Sequence, residues 1–172
     1  MKTFLTTMFT ILTLTGCASS PLDYSALNPP AQGEGVVFGR VKLIEDDKET
    51  ALSLLGESKF GLFVLPQNTS QAIYVPLKDD GTFIWHQPAG SYTIAGFERR
   101  SYGSLTGRVF ASYRVLEDKA AYIGTLVITF VGTRYWVGLV DEFESSWRVL
   151  QARAPDLKME VISHLMHMEE SR

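Results

Sequence analysis

Cysteine occurs once in the 172 residues, at position 17, so the chain can close no intramolecular disulfide and any folded domain must be held by its core. Positive charge is also short: 16 Lys and Arg stand against 19 Asp and Glu, a formal net charge of −3, with no basic tail. That balance argues against a nucleic-acid partner and offers no general attraction to anionic lipid. No apolar run approaches the ~20 residues of a membrane-spanning helix. The stretch from Phe4 to Leu14 is about half that long. There is no Gly-x-Ser-x-Gly elbow, no Gly-rich phosphate loop, no dinucleotide fingerprint and no internal repeat.

What is present begins at the N-terminus. Lys2 is the only charge before an apolar stretch, and small residues then lead to Cys17. This is the three-part layout of an export signal, although the Ala-x-Ala pattern of ordinary cleavage is missing. Leu14-Thr15-Gly16-Cys17 instead resembles the lipobox of bacterial lipoproteins, Leu-(Ala/Ser/Thr)-(Gly/Ala)-Cys, at all four positions. The resemblance implies that residues 1–16 are a signal peptide that is removed. It also implies that Cys17 is the lipid attachment residue, its thiol carrying a diacylglycerol and its new amine an acyl chain. Two or three chains make anchoring stable where one holds only marginally. Ala18 and Ser19 follow the cysteine. In Gram-negative members of the family an Asp there favours retention in the inner membrane, so its absence implies the periplasmic face of the outer membrane.

Losing the leader removes one Lys, which leaves residues 17–172 one unit more negative than the full chain. Ala18 to Gly35, rich in Pro, Ser, Ala and Gly, reads as a flexible tether, so that 17–35 links the lipid to one domain spanning 36–172. Val37, Gly39, Val41 and Leu43 alternate with Arg40 and Lys42 as a half-buried strand requires. Phe60 to Leu65 and Ala72 to Leu77 read as further strands, the latter at an edge because of Pro76.

The sharpest fold signal lies between Lys78 and Glu98. Asp80-Gly81 and Pro88-Ala89-Gly90 provide turn glycines around two aromatic-rich strands, with Phe83 and Trp85 on one face and Tyr92 and Ile94 on another. This Asp-Gly-x-Phe … Ala-Gly-x-Tyr-x-Ile pattern resembles carboxypeptidase-regulatory-like and transthyretin-like β-sandwiches, which host many functions. Strand patterns resume at Arg108 to Val115, Tyr122 to Phe130 and Tyr135 to Asp141. At the end, Phe143, Trp147 and Leu150 make one helical stripe, with Asp141 as a candidate N-cap. Leu157, Val161, Leu165 and Met168 make a second stripe, starting from Pro155. The expected fold is therefore mainly β: an antiparallel β-sandwich of about seven or eight strands with two C-terminal α-helices packed on it.

Candidate sites are few. His164 and His167 sit three apart near Met159, Met166 and Met168, a set that could hold copper in an envelope protein but that reads first as helix packing. His86 reads as a sheet residue with its partners satisfied. The acid pairs Asp46-Asp47 and Asp79-Asp80 lie in turns, and Asp141-Glu142 suits helix capping. Ser101-Tyr102-Gly103-Ser104 has no His near it in sequence to serve as a base. Arg99, Arg100, Arg108 and Arg114 form either a patch for acidic glycan, phosphate or lipid headgroup, or the solvated rim of a hairpin. No metal, cofactor or catalytic residue is expected. The reading is a lipid-anchored, non-enzymatic binding or scaffold module with an envelope protein partner. Its sheet edges and exposed aromatics such as Trp85, Trp136 or Tyr102 would make the contacts. The alternative is an envelope hydrolase acting on peptidoglycan or glycan, which would need two acids converging in a cleft.

Overall fold

Two β-sheets and one helix make up the fold in a computed structural model that describes residues 21–25, 28–52, 59–100 and 104–169. The leader, the lipobox and the lipid attachment residue Cys17 lie outside the described residues, as does Tyr102. No described helix is long and apolar enough to cross a membrane.

The first sheet has seven strands. β1 (Leu22–Asp23), β6 (Thr82–Pro88), β2 (Glu34–Glu45), β9 (Lys119–Val131) and β10 (Arg134–Val140) follow one another across it. β3 (Lys48–Thr50) adds to β2, and β11 (Glu160–Ser163) adds to β9. The second sheet has five strands in the order β12 (His167–Met168), β8 (Ser104–Val115), β7 (Gly90–Arg100), β4 (Lys59–Pro66) and β5 (Ile73–Pro76). The helix α1 spans Phe143–Arg153. The expected tether therefore contains four residues that pair with β6: Leu22 opposite His86, Asp23 opposite Trp85, Glu34 opposite Pro88 and Gly35 opposite Gln87.

Three expectations are corrected. The strands are more numerous than seven or eight, several of them only two to four residues long. The pairing is mixed rather than purely antiparallel. β2 runs parallel to β9 from Val36 opposite Ala120 to Glu45 opposite Phe130, and β11 is also parallel to β9. Finally, the described residues form one C-terminal helix, not two.

The second expected helix fails for a physical reason. β10 covers β9 only from Thr125 onward, so the flank of β9 at Lys119–Tyr122 is open, and β11 fills it. Val161 and Ile162 are adjacent and β-branched, stiff in a helix and well suited to a strand. They point to opposite faces, Val161 packing toward α1 and Ile162 into the cluster between the sheets. The chain then continues along β9 before crossing to β8 as β12. The His164 amide donates to the Tyr122 carbonyl at 2.8 Å and the Met166 amide to Ile123 at 2.9 Å.

The main apolar cluster draws on both sheets. Val37, Val41, Leu43, Phe83, Trp85, Ala121, Ile123, Leu126 and Ile128 come from the first, and Phe60, Leu62, Val64, Tyr92, Ile94, Phe97 and Tyr113 from the second. Phe83 stacks on Trp85 at 4.2 Å and Tyr92 on Tyr113 at 5.5 Å. The turn at Pro88-Ala89-Gly90 does not close a hairpin: β6 and β7 belong to different sheets, so it carries the chain from one to the other. Gly81, at φ +70°, is needed by its turn, because a Cβ there would meet the Val41 carbonyl oxygen at 2.0 Å.

A second cluster lies on the other face of the first sheet. Val36, Phe38, Ile84, Ala120 and Tyr122 meet Leu150, Ala154, Phe143 and Trp147 of the helical segment. The expected stripe of α1 is thus the one that packs. Asp141 accepts the Phe143 amide at 3.1 Å, while Glu142 occupies the cap position and donates its own amide to the Tyr122 hydroxyl at 2.6 Å.

Candidate functional site

The four arginines do not form one patch. Arg99 points inward on β7, is 8% exposed, and pairs with Glu45 of β2, linking the two sheets. Arg100, on the opposite face, bonds Glu98 at 2.7 Å and lies over the Tyr74 ring at 5.2 Å. Arg100 and the Ser104 hydroxyl bond the Glu98 carboxylate and hold it below its ordinary pKa. Arg108 and Arg114 are exposed at separate places on β8.

Arg114 joins the two histidines. With no second helix, His164 lies in the link from β11 to β12 and His167 within β12, and both are exposed. They line a shallow groove of about 390 Å³ with Arg114, Glu169 and the edges of Tyr92 and Tyr113. Met166 is buried in the core, 4% exposed. Among the described residues no three His, Asp or Glu side chains are gathered as a metal would need. Glu169 was not legible as a member of this group, because only the pairing of β12 with β8 brings it there.

The remaining candidates are held by structural contacts. His86 is 3% exposed and bonds Glu34 through Nδ1 at 3.0 Å. Burial works to raise the Glu34 carboxyl, yet the Ala31 amide and His86 hold it below its ordinary value. Asp46 and Asp47 form the exposed two-residue turn between β2 and β3, at φ +49° and +60°. Asp80 binds the Thr82 hydroxyl at 2.7 Å and also pairs with Arg153 of α1. Its desolvation is outweighed by the Thr82 hydroxyl and amide and by Arg153, which keep its pKa low. Glu142 pairs with Lys42, and Ser104 donates to Glu98 at 2.7 Å. Glu34, Asp80, Glu142 and Ser104 are thus each tied to a structural partner, while Asp46 and Asp47 serve only the turn.

The aromatics separate cleanly. Trp85, expected as a surface contact, is fully buried: it stands on the inner face of β6, which is flanked on both sides by β1 and β2. Trp136 is 54% exposed on β10. Tyr135, Val137 and Leu139 of that strand pack inward, which leaves Trp136, Gly138 and Val140 on the outer face. Among the described residues no strand pairs with the far side of β10.

That edge differs from the others. β1, β3 and β12 have three residues or fewer, and β5 has four and ends in Pro76. Part of the β8 edge is capped by the Tyr135 hydroxyl, which accepts the Arg108 amide at 2.7 Å and donates to its carbonyl at 3.2 Å. β10 has seven residues, no proline, and a single charge at its start. Short strands, proline and charge are the means by which proteins blunt sheet edges. β10 uses almost none of them.

No protein-family model matches the chain, and no curated protein does. Among solved structures, a leucine-rich repeat protein from Bacteroides thetaiotaomicron overlaps 59% of this chain at 16% identity and a TM-score of 0.36. The overlap spans 14% of that protein's length.

Proposed function

We propose that the protein is a bacterial lipoprotein, anchored through acyl chains on Cys17 to the periplasmic face of the outer membrane. Its two sheets act as a β-sandwich, and the module works by binding or scaffolding rather than by catalysis. The observation that carries binding is the open β10 edge with Trp136 half exposed beside it. Free edges and exposed tryptophans are how sheet proteins take up partners. The location rests on Leu14-Thr15-Gly16-Cys17. Against hydrolysis stands the engagement of Asp80, Glu98 and Glu142 in ion pairs with Arg153, Arg100 and Lys42.

The test is fractionation of cells making the Cys17→Ser variant. The variant is expected to leave the membrane pellet for the soluble fraction or to remain as an unprocessed precursor. Membrane attachment of a variant that has lost residues 1–16 would overturn the anchoring. Release of soluble fragments from peptidoglycan by the purified protein would overturn the non-enzymatic reading.

A further inference from the structure

The open edge has features that select its occupant. β10 reads Arg134-Tyr135-Trp136-Val137-Gly138-Leu139-Val140, and Asp141 and Glu144 follow it, with Glu142 between them already paired with Lys42. Its charge is therefore polar along the strand, basic at the start and acidic just past the end. A parallel neighbour of the same sequence would set like charges together. An antiparallel copy sets Arg134 beside the acidic end of its mate at both ends of the ladder.

Register follows from length. Antiparallel pairing about a two-fold axis at Val137 uses all seven residues, with Arg134 opposite Val140 of the mate, Tyr135 opposite Leu139, and Val137 opposite Val137. Shifting the axis to Trp136 or Gly138 leaves part of the strand unpaired. The Val137 register also places Trp136 opposite Gly138 of the mate on the outer face. A Cβ built on Gly138 would find nothing within 4 Å, so the space above it is open to an indole from across the ladder. An aromatic lying over an edge glycine is a recognised way to cover it. The pairing is isologous and closes at two copies.

We propose that β10 pairs with β10 of a second copy of this chain, antiparallel about Val137, joining two first sheets into one continuous sheet. This deepens the binding reading above by naming its partner. Anchoring in one leaflet would raise the effective concentration of the two copies, so a modest edge affinity suffices.

The experiment uses the full, processed chain. Cells carrying Val137→Cys are treated with a mild oxidant and run on non-reducing gels. Opposed residues in an antiparallel ladder have Cα atoms about 4.5–5.5 Å apart, inside the range a disulfide spans. A covalent dimer is expected for Val137→Cys and not for the wild type, whose one cysteine is acylated. Trp136→Cys should cross-link far less, because its opposite number is Gly138. In parallel, the detergent-extracted protein is sedimented across a concentration series. Trp136→Glu, an exposed change that leaves the circular dichroism unaltered, should weaken the dimer at least tenfold.

A monomer at every concentration, cross-linking through position 136 in preference to 137, or open-ended assemblies would each overturn the pairing. None of these bears on membrane attachment, which Cys17→Ser reads alone. A monomer that still fractionates with the membrane would sink the second copy as partner and leave the anchored module standing.

Discussion

Trp85 and Trp136 show what a single residue's place in the sheet decides. Both stand in alternating apolar strands, and pattern alone could not separate them, since either face of a two-sheet protein can be covered. Trp85 lies on β6, flanked by β1 and β2, with its ring stacked on Phe83 at 4.2 Å and no exposed surface. Removing such a side chain loses both its transfer energy and the packing around the hole it leaves, about 3–5 kcal/mol for Trp to Ala. Urea denaturation of Trp85→Ala followed by far-UV circular dichroism should show a loss of that size. A cost under about 1 kcal/mol would mean that Trp85 does not hold the two sheets together. The same sort of local ambiguity scattered the arginines. Arg99 and Arg100 are neighbours in sequence, but strand alternation sends one inward to Glu45 and the other outward to Glu98.

At the scale of elements, the strands and α1 were legible because their signals are local. Val37, Val41 and Leu43 alternate, Phe143, Trp147 and Leu150 fall on one helical face, and both sets pack as their spacing predicts. The path of the last segment was not legible, because it depends on an open flank of β9 set by where β10 stops. Leu157, Val161, Leu165 and Met168 fit a helix by spacing, yet β11 uses Val161 and Ile162 on opposite faces and the link to β12 leaves Leu165 40% exposed. The groove shared by Arg114, His164, His167 and Glu169 was hidden for the same reason, as it exists only once β12 docks on β8. The two paths rank mutations differently. A helical stripe would make Leu165 matter and Ile162 not. The strand path makes Ile162→Ala cost about 1–3 kcal/mol, as a half-buried aliphatic loss, and Leu165→Ala within about 0.5 kcal/mol. Urea midpoints for the two variants decide between them, and the reverse order would restore the helix.

Across the whole molecule, ion pairs join pieces that are distant in sequence. Lys42–Glu142 and Arg153–Asp80 pin the two ends of α1 to the first sheet, and Arg99–Glu45 ties that sheet to the second. Burial alone would raise the pKa of Glu142 and of Asp80. For Glu142 the Lys42 ammonium outweighs it, and for Asp80 the Thr82 and Arg153 bonds do, so both carboxyls end below their ordinary values. A carboxyl whose folded pKa is depressed binds protons more readily in the unfolded chain. Its contribution is therefore complete above the ordinary carboxylate range, about pH 4, and is lost as pH falls through the lower folded value. Both acids are partly solvated, so each contributes modestly, on the order of 1 kcal/mol or less. The melting temperature should accordingly hold steady from pH 7 to about pH 5 and fall below about pH 4. Glu142→Gln should lower it at pH 7 and flatten its acid dependence, because the variant has already lost what protonation removes. Glu144→Gln, on the exposed side of the same first turn, should leave both the level and the slope unchanged. Parallel acid profiles for Glu142→Gln and the unaltered chain would show that α1 is held by its apolar face against Phe38, Ile84 and Tyr122 and not by its charged ends.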